Sequence, residues 1–117
     1  MAQKSYKEIN ATQVTLGRAF MQESKESKDT LSAFMNLHQK SMKEGVLSVK
    51  NKELIALGIG IAARCDGCIA AHVKAALASH ATRAEIVETI NVAIMMGGGP
   101  SVVYGMQAFG AMNELSE

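Results

Sequence analysis

The chain has 117 residues, 48% of them hydrophobic and 20% charged, and carries a formal net charge of +1 at pH 7. This length and balance exclude a disordered tail and predict one globular domain spanning residues 1–117. Eight basic and five acidic groups in residues 1–50, against four and six in residues 51–117, make only a mild asymmetry, which gives no electrostatic case for nucleic acid or membrane binding.

The N-terminal stretch Met1 to Glu8 lacks the apolar core of a signal peptide, and the longest apolar run, Leu54 to Ala63, is too short to cross a membrane. A cytoplasmic location is the expectation. So short a chain, with eight methionines and no tryptophan, cannot easily enclose this much apolar material. Part of it is expected to lie between subunits.

Helical periodicity runs through the whole chain. Ile9, Val14, Leu16, Ala19, Phe20 and Met21 mark a first helix that frays before residue 6, and the polar stretch Glu23 to Asp29 separates it from a second. Asp29 or Thr30 is the expected cap of that second helix, in which Leu31, Phe34, Met35, Leu37, His38 and Met42 follow the 3.6 period until Gly45. A third helix starts near Ser48 and runs to Ala63, with Gly58 and Gly60 allowing close helix contact. A fourth opens around the cysteines and reaches about Ala78. Thr82 and Glu85 form a capping-box pattern for a fifth, ending before Gly97, and Pro100 suits the first turn of a sixth, Ser101 to about Asn113. No β-hairpin signal appears, so the fold class is all-α with about six helices.

The chemistry concentrates between Glu53 and His72. Cys65 and Cys68 are the only cysteines in the chain, and a Cys-x-x-Cys pair can close into a disulfide and reopen. Cys65, Cys68 and His72 share one helical stripe. A thiolate near a helix N-terminus is stabilised by unpaired N–H groups, and His72 could take or deliver its proton. If the third and fourth helices are antiparallel, Glu53 approaches His72 and orients its imidazole. The relay is then Glu53, His72 and Cys68, with Cys65 as resolving thiol: Cys68 attacks a peroxide, becomes a sulfenic acid and condenses with Cys65. Assignment of the attack to Cys68 rests on its spacing from His72. The helix-terminus argument alone would favour Cys65.

The pattern of Glu53, eleven intervening residues, Cys65-Asp66-Gly67-Cys68, three residues and His72 resembles the alkylhydroperoxidase AhpD and carboxymuconolactone decarboxylase superfamily, over roughly residues 30–115. The resemblance implies an all-helical fold assembled as a homotrimer or homohexamer. It matches Glu53 to the proton-relay glutamate, Cys65 to the resolving cysteine, Cys68 to the peroxide-attacking cysteine and His72 to the relay histidine. It further implies reduction of small organic hydroperoxides, with electrons from a lipoyl-type or thioredoxin-like dithiol and no cofactor. One departure is Gly67, where the best characterised hydroperoxidase members carry a second histidine as a further proton carrier.

Three other readings compete. A cofactorless decarboxylase is the other branch of the superfamily, but that branch generally lacks paired cysteines. Zinc could take two thiolates, an imidazole and a carboxylate; ligands on one helical stripe fit it only with distortion, so no metal is expected. A helical assembly protein whose cysteines have no turnover role is the third. His38 reads as a packed, hydrogen-bonded residue, His80 as a cap or loop residue, and the methionines as core or interface filler. Gly97-Gly98-Gly99 is a tight interhelical turn and not a phosphate loop, because no strand precedes it and no Gly-Lys-Ser/Thr follows.

Overall fold

The computed structural model describes residues 4–116, which form six helices and, among those residues, no strand. These are α1 (Tyr6–Glu23), α2 (Lys25–Met42), α3 (Val49–Ala62), α4 (Asp66–Ala78), α5 (Arg83–Gly97) and α6 (Gly99–Leu115).

Local chemistry accounts for most of the boundaries. Ser5, Ser48 and Thr82 each accept the backbone N–H three residues on, at the heads of α1, α3 and α5, and Glu85 returns a bond to the Thr82 N–H to complete the capping box. α5 runs through Gly97 instead of ending before it, and stops where Gly98 takes a left-handed φ of 72°, open to glycine at little cost.

The second helix begins earlier than its periodicity suggests. Ser24 is the only residue between α1 and α2, so most of the polar stretch after Glu23 is helical and Asp29 and Thr30 sit inside α2 instead of capping it. The reason is compositional: residues 24–30 contain neither Gly nor Pro, and surface polarity alone does not stop a helix.

The core lies among α3, α4, α5 and α6, where Leu57, Ile61, Ile69, Val73, Ile86 and Met112 are fully or almost fully buried. Burying each such side chain stabilises the fold by roughly 1.5–3 kcal/mol. α3 and α4 are joined by a short turn in which Arg64 has φ 58° and the Cys65 N–H reaches back 3.1 Å to the Gly60 carbonyl. α1 packs along α4, and its Asn10 side chain donates to the Ala70 carbonyl at 3.1 Å. The start of α1 is tied to the end of α6 by Glu114, whose carboxylate accepts the Ser5 hydroxyl and the Tyr6 N–H, each at 2.7 Å.

α2 is different, for none of its residues is buried. Its Phe34 and Leu37 are exposed, as are Ile55 and Ile59 of α3 and Val92, Met95 and Met96 of α5. No helix among the described residues is long and apolar enough to cross a membrane.

Candidate active site

The antiparallel turn brings the first part of α3 beside the middle of α4. Glu53 is buried, and its Oε1 lies 2.7 Å from Nδ1 of His72. A carboxylate can only accept, so Nδ1 carries the proton in this pair, and in the neutral imidazole it is Nε2 that offers the lone pair.

One turn before His72, Cys65 and Cys68 are joined in a disulfide, with their Cα atoms 5.2 Å apart. Cys65 is the N-cap of α4, and its Sγ receives the Cys68 N–H at 3.1 Å. A charge left on Cys65 when the disulfide opens is therefore held by an otherwise unpaired amide and by the positive end of the helix dipole.

The N-terminal segment surrounds the motif from the other side. Asp66 accepts Lys4 Nζ at 2.7 Å and the Tyr6 hydroxyl at 3.1 Å, and the same hydroxyl lies 2.8 Å from Gln107 Oε1. A phenol has one proton, so both contacts are satisfied when it donates to Asp66 and the Gln107 amide turns its NH₂ toward it. Burial, followed by the charge of Asp66, raises the Tyr6 pKa well above the ordinary tyrosine value, and the Asp66 hydrogen bond raises that of Lys4.

Gln13 of α1 donates its Nε2 to the Gly67 carbonyl at 3.2 Å. A Cβ on Gly67 would fall 2.6 Å from Gln13 Oε1, so any side chain there, including a histidine, would have to displace Gln13. His38 also departs from its sequence reading. It is exposed instead of packed, and its ring stacks on that of His72. His80 lies in the turn after α4 with φ 68°.

The model of the carboxymuconolactone decarboxylase family matches residues 28–111. The chain belongs to that family. A family member from Legionella pneumophila of known structure is 37% identical, superposes with a TM-score of 0.89, and matches over 96% of this chain and 97% of its own. A Thermotoga maritima member, suggested to be involved in an antioxidative response, is 28% identical with a TM-score of 0.80 over 93% and 90% of the two chains. An uncharacterized protein of Cupriavidus necator is 34% identical over 86 residues, covering 74% of this chain and 76% of the relative.

In this member of the carboxymuconolactone decarboxylase family, the four residues singled out by spacing, Glu53, Cys65, Cys68 and His72, come from two neighbouring helices and one connecting turn. Tyr6, Gln13 and Gln107 were not legible as neighbours of the motif, since they lie far away in sequence and belong to no pattern. Among the described residues no group of three or more His, Cys, Asp and Glu side chains gathers as a metal-ligand set. An apolar groove of about 610 Å³ runs between α3 and α5, lined by Leu54, Gly58, Ala62, Thr89, Ala93 and Met96. It lies off the face of α3 that carries Glu53.

Proposed function

We propose that this protein is a thiol-dependent reductase of small organic hydroperoxides, working as a homotrimer or homohexamer. The observation that carries the reading is the Glu53–His72 bond held one turn from a Cys65–Cys68 disulfide.

In the reduced state, Nε2 of His72 takes the Cys68 thiol proton, and the thiolate attacks the terminal oxygen of the hydroperoxide. The S–O bond forms as the O–O bond breaks, and the leaving alkoxide takes a proton from His72 to become an alcohol. Cys68 is now a sulfenic acid. Cys65 then gives up its thiol proton as its sulfur attacks that of Cys68; the disulfide forms, and the departing hydroxide takes this proton and leaves as water. An external dithiol of lipoyl or thioredoxin-like type then supplies two electrons and two protons, becomes a disulfide itself and restores both thiols.

Glu53 keeps the imidazole in the tautomer that presents Nε2 as base and stabilises the imidazolium after proton uptake. A decarboxylase has no use for a thiol pair that opens and closes, which is why the paired cysteines favour redox chemistry.

Two variants test the assignment. Cys68→Ser should abolish reaction with cumene hydroperoxide, because serine is a poor nucleophile at neutral pH. Cys65→Ser should react once and stop as a sulfenic acid trapped by dimedone, read by intact mass. The opposite pattern would reverse the two cysteine roles. Persistent free thiols in the wild type under excess hydroperoxide would overturn the reading altogether.

A further inference from the structure

His38 lies outside the relay described above, yet it is the aromatic ring stacked on it. The ring centroids of His38 and His72 are 6.3 Å apart with planes inclined by 25°, the separation and tilt of an offset stack. The Glu53 contact fixes one atom of the His72 ring. An imidazole set by two side-chain torsions can still swing about a single fixed atom, and that swing changes where Nε2 points. A second ring stacked beside it, with centroids 6.3 Å apart, narrows this freedom.

The helix that brings His38 has an anchor of its own. Because α2 buries no residue, packing of its side chains into the core does not fix its position. Lys52 supplies what packing does not: its Nζ donates to the backbone carbonyls of Ser41 at 2.9 Å and Lys43 at 2.7 Å. Those carbonyls belong to the end of α2, where no intrahelical donor remains and a cation is favoured by the helix dipole. Ser41 is one turn beyond His38 on the same face. The adjacent residues Lys52 and Glu53 therefore hold two different helices, the one carrying His38 and the one carrying His72.

We propose that His38 is a positioning residue that clamps the plane of the His72 imidazole by stacking, and that Lys52 holds His38 in place by capping α2. The benefit to turnover rests on the hydroperoxidase reading; the clamp itself does not. Gly67 leaves no second histidine within the Cys-x-x-Cys motif, and His38 brings a second ring to the relay from another helix.

The test uses the full-length oxidised protein labelled with ¹⁵N-histidine, in which long-range ¹H–¹⁵N spectra report the two His72 nitrogens directly. The wild type should show one tautomer, protonated at Nδ1. In His38→Ala the two ¹⁵N shifts should move toward each other as the ring swings and exchanges tautomers, whereas His38→Phe, which keeps a ring to stack, should retain the wild-type spectrum. Lys52→Met should reproduce the His38→Ala spectrum. After reduction of the same proteins, single-turnover reaction with cumene hydroperoxide should fall about tenfold in His38→Ala and recover in His38→Phe. An unchanged His72 spectrum in His38→Ala would overturn the clamp. A His38→Phe spectrum that matches His38→Ala would overturn stacking as its basis, and a wild-type spectrum in Lys52→Met would overturn the anchoring role. If the wild type reduced no hydroperoxide at all, the spectra would still decide the clamp, and only the proposed activity would fall.

Discussion

Gly60 and Cys68 meet where α3 crosses α4, so closely that a Cβ on Gly60 would lie 3.0 Å from the Cβ of Cys68. The cysteine sits where it does because the residue facing it has no side chain. Gly60→Ala should force the two helices apart at the disulfide and destabilise the fold by roughly 1–2 kcal/mol, overpacking outweighing the gain in helix propensity. Gly58→Ala is the control: its Cβ would meet only Thr89 Cγ2 at 3.7 Å, an ordinary contact. It should stabilise by about 0.5–1 kcal/mol. Urea unfolding of the two variants should give shifts of opposite sign.

Replacing the relay residues should slow the first oxidation step unequally. His72→Gln removes the proton carrier and should reduce the single-turnover rate with cumene hydroperoxide by about 10²–10⁴-fold. Glu53→Gln keeps a group of the same shape beside Nδ1 but loses the negative charge that supports the imidazolium, so its effect should be smaller. Stopped-flow measurement of sulfenic acid formation in a Cys65→Ser background separates this step from disulfide closure. Equal losses in both variants would contradict the division of roles.

Tyr6 should give the fold an alkaline limit. Its folded pKa is raised above 10.0, by burial and then by the Asp66 charge, so its neutral form is the one the native state favours. The contribution is therefore complete below about pH 10 and is lost as pH rises from there through the folded value. Tyr6→Phe should cost about 1 kcal/mol at neutral pH through the lost Asp66 bond and should flatten the alkaline decline in thermal midpoint.

Glu114 should act at the acid end. The Ser5 hydroxyl, followed by the Tyr6 N–H, holds its pKa below 4.5. Its contribution is present above that ordinary value and lost as pH falls through the lower folded one. In Glu114→Gln the drop in thermal midpoint over this acid window should shrink. A matching drop would show that the α1 to α6 tie does not depend on the charge.

The proposed assembly has its own test. Ile59 and Met96 are 65% and 74% exposed in the single chain, in line with apolar surface left for contact between copies. Sedimentation velocity at micromolar concentration should give a trimer or hexamer, and Ile59→Glu should shift it to smaller species. A wild-type monomer would refute the assembly.

What the sequence determined by itself was whatever is local. The all-helical class, the capping box at Thr82 and Glu85, and the stop near Gly97 follow from periodicity and terminal chemistry that act within a few residues. The pairing of Glu53 with His72 was also legible, because a short turn between two apolar helices leaves little choice but an antiparallel return. The start of α2 misleads for a local reason too: a polar run suggests a break, yet nothing in residues 24–30 prevents a helix. Tertiary structure alone decided the rest. That Tyr6 and Lys4 hold Asp66, that Gln13 fills the space beside Gly67, and that His38 stacks on His72 depends on where α1 and α2 dock. Those placements come from contacts between residues far apart in the chain, and no spacing along one helix encodes which side chain of another will meet it.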